Sequence, residues 1–391
     1  HQREPWPHAL TLPVGRHTLQ VRGVGIKNTR RQVQLRADGQ LEVEVEEDIV
    51  TLKEVVVEAE KDKNVSGLQM GMERLDIKTM RQIPTAFGET DLLRVVLTLP
   101  GVKSVGEGST GLNVRGGSTD QNLILFNDAV IYNPSHLFGF FSAFNPDVVQ
   151  ALELYKSAIP AKYGGRLSSV LDISTREGNK KKLSGSGGIG PLTSRLTLEG
   201  PLAKDRSSFM LSGRASYSDW ILHQLSDKNY QQSSAGFYDL TGHLSHQFNE
   251  RNSLYTTGYY SSDRFRLADD TTYHYTNTAA SLKWRHRFTN QLSGVLTGAF
   301  SRYAYDVRSE QNPVTASALN YRIDQGNLRA DFSFYPNSKH SIDFGVSSQL
   351  YDIEPGTLQA RGEASLVKPV QLQRERALES AAYVSDRWDL T

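Results

Sequence analysis

The chain of 391 residues contains no cysteine, which excludes disulfide frameworks, thiolate metal sites and cysteine nucleophiles. It also lacks any apolar run near the roughly 18 residues that a membrane helix requires. A membrane role would therefore need the other permitted architecture, a closed β-barrel. Excess charge is missing as well: Lys+Arg 44 against Asp+Glu 43 leaves +1, which is no nucleic-acid footprint. Neither HExxH, GxSxG nor GxxxxGK[ST] occurs, and the ten histidines are scattered, so no enzyme is read. No cofactor or metal site is read either; His136 has no companion ligand at helical or strand spacing. The chain opens on His1 without a signal peptide and stops at Trp388–Thr391 within an apparent strand, so a fragment at both ends is expected.

What is present is alternation. Over residues 1–50, apolar positions at Leu10, Leu12, Val14, Leu19, Val21, Val33, Leu35, Leu41, Val43 and Val45 recur with period two between Gly-containing turns. This predicts the end of a small β-sandwich. Residues 51–64 form a charged linker around Val55-Val56-Val57, and 65–180 read as a mixed α/β domain. A short helix is expected from Asp91 to Leu99, ended by Pro100-Gly101.

From 181 to 391 the pattern becomes strictly two-faced. Leu196 and Leu198 alternate with Arg195, Thr197 and Glu199. Leu282, Trp284 and Phe288 alternate with Ser281, Lys283 and Arg287, and Leu328, Ala330 and Phe332 with Arg329, Asp331 and Ser333. Tight turns near Asp205, Glu250, Asn290 and Pro336 alternate with long polar loops near 219–235, 262–275, 306–319 and 352–375. An outer-membrane barrel has this rhythm of short and long connections. A soluble sandwich also alternates, but its strands average about five or six residues; these run nearer ten, as a tilted crossing needs. About nine strands are counted, fewer than an even-numbered closed barrel of this size. The fold class is mostly β: the end of a sandwich module, a mixed α/β plug, and the first part of a large antiparallel transmembrane barrel.

Several motifs stand in one order: Leu99-Pro100-Gly101-Val102, Val114-Arg115-Gly116-Gly117, Asn122 to Asp128, Ile131 to Gly139, Phe144-Asn145-Pro146-Asp147, and Lys162-Tyr163-Gly164-Gly165-Arg166. Together they resemble the plug domain of TonB-dependent outer-membrane receptors. Leu12-Pro13-Val14-Gly15-Arg16-His17-Thr18-Leu19 resembles the last strands of a carboxypeptidase-regulatory-like module, which precedes such receptors of the Bacteroidetes type. Leu52, Glu54, Val55, Val56 and Val57 look like a TonB box, a β-branched run able to add as a strand to a partner's sheet. The alternative, a last strand of the preceding sandwich, stays open.

The resemblance implies further roles. Arg115, Gly116, Gly117, Gly164, Gly165 and Arg166 would shape and lock the plug, with both arginines reaching carboxylates on the barrel wall. Tyr132, Asn133, His136 and Phe138 would meet solute at the plug apex, against the alternative that the phenylalanines of 138–144 pack the plug core. The implied setting is the outer membrane of a Gram-negative bacterium, among its lipids, with the N-terminal module periplasmic. The implied partners are TonB with ExbB and ExbD, a solute (siderophore, vitamin, peptide or glycan), and room for a surface lipoprotein. An uncoupled channel or adhesin and a signalling receptor are the alternatives.

Overall fold

The computed structural model describes residues 12, 15–23, 26–37, 71–83, 89–106, 111–268, 271–337 and 339–388. The chain divides into two compact units, 1–69 and 70–391. In the first, β1 (Gly15–Gly23) and β2 (Ile26–Leu35) form an antiparallel hairpin with His17 opposite Val33 and Leu19 opposite Arg31. The strand expected at 41–45 and the segment Leu52, Glu54, Val55, Val56 and Val57 lie outside the described residues.

The second unit begins with a small mixed domain. Its five-stranded sheet runs β3 (Met72–Asp76), β10 (Val149–Tyr155), β11 (Ser169–Thr175), β6 (Asn122–Phe126), β7 (Ala129–Val130). Only the β11–β6 pair is parallel. Two ribbons flank it: β4 (Val102–Ser104) with β5 (Leu112–Val114), and β8 (Ser135–His136) with β9 (Phe141–Ser142). After the single turn α1 (Ile77–Met80) comes α2 (Leu92–Leu97). The Asp91 carboxylate caps α2 by accepting from the N–H groups of Leu93 and Arg94 at 3.0 and 3.1 Å. Leu92, Leu93, Val95 and Val96 are buried on it, and Gly101, at φ +79°, turns the chain away after Pro100. These side chains join Phe126, Phe144, Leu152, Leu171 and Ile173 in one core.

The rest is one open antiparallel sheet of eleven strands. It comprises β12 (Ser184–Ile189), β13 (Thr193–Ala203), β14 (Ser207–Ser216), β15 (Ser234–Asn249), β16 (Asn252–Leu267), β17 (Thr271–Arg287) and β18 (Leu292–Ser309). Then follow β19 (Ser317–Phe334), β20 (His340–Ala360), the short β21 (Val370–Gln371) and β22 (Glu375–Trp388), which pairs with β20. Among the described residues no helix is long and apolar enough to cross a membrane, which says nothing of strands.

Burial on this sheet is inverted relative to a soluble protein. Leu198, Leu211 and Leu328 are 47%, 55% and 59% exposed, whereas Thr197 and Arg214 are 1% and 3% exposed. An apolar face turned outward and a polar face turned inward is the arrangement of a barrel wall in lipid around a filled lumen. The phase read from the sequence agrees on every strand for which it was read.

The connections differ from expectation. Of these, 219–235 is an excursion for all but its last two residues, holding the single turns α3 (Asp219–Leu222) and α4 (Lys228–Gln231), and 361–374 is another, holding only the two-residue β21. Most of 262–275, and parts of 306–319 and 352–375, are strand, because β16 to β20 continue well past the apolar stripe. Their polar residues still alternate, with aromatics at the inward positions: Phe265, Tyr273, Tyr275, Tyr303 and Tyr305. Polarity there marks the end of the lipid contact and not the end of the strand.

Candidate functional site

The inner face of the sheet meets the small domain through buried polar groups. Three carboxylates of the domain each find a cation on the wall.

Asp128 lies in the tight turn between β6 and β7, where Asn127 and Asp128 both take left-handed backbone angles (φ 46° and 71°). Asn and Asp tolerate this region better than most side chains. The turn thrusts the Asp128 carboxylate between Arg329, at 2.5 Å, and Lys283. Burial alone would raise its pKa, but Lys283 and Arg329 outweigh that and hold it down at about 2. Beside it the Asn127 amide donates to Thr175 Oγ1 of the domain and Thr257 Oγ1 of the wall, at 2.6 and 2.8 Å.

Glu89, just before α2, binds Arg214 of β14 at 2.5 Å and accepts from Thr193 Oγ1 at 2.9 Å. Arg214 also donates to Asp239 and to the Ser142 carbonyl, each at 2.7 Å. Asp239 lies 3.3 Å from His136 Nε2, and His136 Nδ1 lies 2.7 Å from Asp263. The His136 ring stacks on Phe237 with centroids 4.1 Å apart. Burial disfavours the charged imidazole, yet Asp263 and Asp239 outweigh it and raise the pKa of His136 above the ordinary histidine range. Asp263 also accepts from the Leu137 N–H at 3.0 Å, fixing the backbone of this loop where Leu137 and Phe138 have positive φ. His136 Nδ1 is hydrogen-bonded to Asp263 while Nε2 has only the ion-pair approach of Asp239, and among the described residues no group of His, Asp and Glu is disposed to hold a metal ion.

Asp147 is the third carboxylate, 2.8 Å from Arg195 of β13 and 3.0 Å from Arg81 of its own domain.

The two arginines expected to lock this seat do not do so. Arg115 is exposed at φ 50°, its N–H donating to the Gly101 carbonyl, and Arg166 donates to the Gly165 carbonyl. Among the described residues neither pairs with a carboxylate of the sheet. Glu89, Asp128 and Asp147 sit on the small domain with their cations on the wall, but Arg176, just after β11, donates to Glu199 of β13, and His136 faces two wall aspartates. Gly117 does serve packing: a Cβ there would come 2.3 Å from Ser168 Oγ. Gly116 and Gly165 have positive φ (83° and 79°) in open space, and Gly164 is open too.

The four expected solute contacts separate. His136 is fully buried in the seat and is corrected to a structural role. Tyr132 is half-buried and donates to Gln325 Oε1 at 2.6 Å; the Asn133 carbonyl accepts from Asn277 at 3.3 Å. Phe138 remains 46% exposed, standing edge-on to Phe265 and Tyr273 at 5.4 and 5.5 Å, while Phe141 and Phe144 are buried. Tyr275, Tyr303, Tyr305 and Tyr321 continue this aromatic surface across the wall. Glu89, Arg214, Asp239, Asp263, Lys283 and Arg329 were not foreseen. The signal was available: ionisable residues at inward positions of membrane strands must have partners.

A mixed domain clamped by buried ion pairs to the polar face of a two-faced sheet leads to the comparison with known proteins. Residues 73–169 match the family of the TonB-dependent receptor plug domain. No curated protein sequence matches the chain. Among solved structures, the siderophore receptor PirA from Pseudomonas aeruginosa is similar at 18% identity and TM-score 0.58, over 82% of this chain and 54% of that one. A mutant of the ferric enterobactin receptor PfeA from the same organism is similar at 14% and 0.62, over 85% and 56%. The copper transporter OprC is similar at 11% and 0.63, over 82% and 53%. The chain therefore spans about half the length of these structures, and the shared feature is the fold: a plug followed by a large antiparallel sheet of a barrel receptor.

Proposed function

We propose that this chain is the plug and leading barrel wall of an outer-membrane receptor that imports a scarce or bulky solute, driven through TonB, ExbB and ExbD. One observation carries the reading: the plug is held against the inner face of a two-faced sheet by buried ion pairs, which suits a domain that occludes a barrel lumen at rest. Closure without a route to opening would make the wide wall useless. Solute is received where Phe138 stands among Phe265, Tyr273 and Tyr275, at the end of the sheet bearing the longer connections. Siderophores and copper are named for the similar structures, and a chelated metal, vitamin, peptide or glycan suits an aromatic surface. The TonB contact is assigned on sequence to Leu52, Glu54, Val55, Val56 and Val57, a run suited to strand addition from the periplasmic side.

The test is calorimetric. The periplasmic C-terminal domain of the cognate TonB is titrated into the full-length receptor and into its Val56→Pro variant, in which proline removes a backbone donor. Binding lost in the variant is the expected result. Absence of binding to both, with and without solute, overturns energised import and favours an uncoupled channel or adhesin.

A further inference from the structure

The inner face of β17 carries more positive charge than the resting plug uses. Lys283 meets Asp128 of the plug. The next residues of β17 in the same phase, toward the short connections, are Arg285 and Arg287. Both are exposed, and among the described residues neither forms an ion pair. Arg285 lies over the ring of Tyr255, 5.0 Å from its centroid. Residues of one phase stand two apart along a strand, about 7 Å. Lys283, Arg285 and Arg287 therefore form a column of three cations from the plug's seat to the short-connection end.

The other joints have no such column. From Arg214 the next inward residues of β14 in that direction are Ser212, Met210 and Ser208. From Arg195 on β13 they are Thr197 and then Glu199, which holds Arg176. From Arg329 on β19 the next is Asp331. A carboxylate leaving Arg195 or Arg329 this way meets a like charge, whereas one leaving Lys283 meets Arg285.

Asp128 is the carboxylate placed to use the column. It projects from the tight β6–β7 turn and bridges Lys283 and Arg329. The short strand β7 lies against β17 and β18. Arg329 has a second partner in Asp331 at 2.7 Å, so that side of the wall can give up Asp128 without stranding a cation.

We propose that Arg285 and Arg287 are two further binding positions for the Asp128 carboxylate, which passes from Lys283 to each in turn as the plug leaves its seat, and back as it returns. Inward ionisable groups on membrane strands are retained where they are paired or functional. These two arginines are unpaired at rest because their partner arrives with the moving plug. That the plug travels toward the short connections rests on the proposed pull from the periplasmic side. The handover itself is also used in thermal opening, so it can be tested without TonB.

The chain has no cysteine, so one introduced thiol reads the seat alone. Thr257→Cys places it where the Asn127 amide donates to the wall, at a residue 4% exposed. The full-length receptor carrying this thiol is reconstituted in vesicles and treated with a maleimide. At saturating maleimide the labelling rate equals the opening rate of the seat; at low maleimide it follows the equilibrium between open and closed. Adding Arg285→Gln and Arg287→Gln should slow opening about fivefold, the upper end for one exposed ion pair. The equilibrium should move by less than about twofold, because a contact made only in passage changes opening and closing alike. Arg285→Lys with Arg287→Lys should restore the rate, and about 1 M salt should erase the difference between wild type and the Gln variant. Arg251→Gln, in a neighbouring short turn outside the column, should leave opening unchanged. Opening unaltered in the Gln variant overturns the proposal. A shifted equilibrium also overturns it, since the pair would then belong to the resting seat. Equal slowing by Arg251→Gln, or a difference that survives the salt, overturns it by making the effect one of general charge or of packing.

Discussion

Replacing Asp128 by Asn removes one charge from the centre of the plug seat with almost no change of shape. Two routes bound the effect. The carboxyl is held at about 2 in place of its ordinary 3.8, a difference that corresponds to about 2 kcal/mol. Removing one member of a buried pair costs roughly 3–5 kcal/mol, because the orphaned partner stays buried. The estimates differ because the first counts only the charge state of Asp128, while the second includes the stranded cations. Arg329 keeps Asp331 at 2.7 Å, but Lys283 loses its only carboxylate among the described residues. A value near 3 kcal/mol follows. Native-state hydrogen exchange on the full-length receptor reads it at Ile131, whose N–H donates to Ile124 at 2.9 Å, and at Asn127, bonded to Ile173 at 2.9 Å. Their protection should fall roughly a hundredfold. Because the folded pKa is depressed, the wild-type advantage is complete above pH 3.8 and is lost only as pH falls through about 2. The difference between wild type and variant is therefore flat from pH 5 to 8. A change in protection under threefold, or a difference that disappears between pH 6 and 7, refutes the argument.

Four further outcomes can be checked. Arg115→Ala and Arg166→Ala should each change plug protection by less than about 0.5 kcal/mol, since neither the exposed Arg115 nor the half-buried Arg166 has a carboxylate partner on the wall among the described residues. Gly117→Ala should destabilise the plug by about 1–3 kcal/mol in thermal unfolding of the full-length receptor, since the new methyl meets Ser168 at 2.3 Å and 2.5 Å. His136 has a raised folded pKa, so its stabilisation is complete below 6.5 and declines as pH rises through the higher folded value; plug protection should fall at alkaline pH in wild type and show no such fall in His136→Gln. Leu328→Arg, on the outward face, should cost about 2–4 kcal/mol in folding into vesicles if that face meets lipid near mid-bilayer.

Much of this was legible because period two survives tertiary packing. A strand in lipid must alternate, so the phase of Leu198 against Thr197, or Leu328 against Arg329, can be read from one sequence. Chain punctuation was less legible. The run from Ser262 to Tyr275 is mostly polar, and composition suggested a loop, yet Phe265, Tyr273 and Tyr275 hold the inward phase of two long strands. The seat was least legible of all. Glu89 finds Arg214 across 125 residues, and Asp128 finds Arg329 across 201, so no local spacing reports either pair. His136 illustrates the converse error: a polar residue in an aromatic loop resembles a ligand contact until Asp239 and Asp263, more than 100 residues away, close over it.

The division of labour between core and seat also bears on how a plug could be tightly held and still released. Among the described residues the plug's main apolar core takes in Met210, Tyr259 and Ala279 of the wall, and a smaller cluster packs Leu137 and Phe141 against Leu192 and Phe237. The ionic joints between plug and wall are Glu89 with Arg214, Asp128 with Arg329 and Lys283, Asp147 with Arg195, Arg176 with Glu199, and His136 with its two aspartates. An apolar seat would forfeit about 25 cal/mol for every Å² exposed on leaving, however slowly it opened. Ion pairs behave otherwise. Breaking one while its partners stay dry costs several kcal/mol, but once water enters, each separated pair is worth only about 0–1 kcal/mol. Such a seat resists slow leakage, because partial opening strands dry charges, yet opposes full separation only weakly after hydration. A pull on the plug that admits water to the Asp128 or Glu89 cluster would therefore lower the resistance of the remainder, so release should be cooperative and begin at the cluster that wets first.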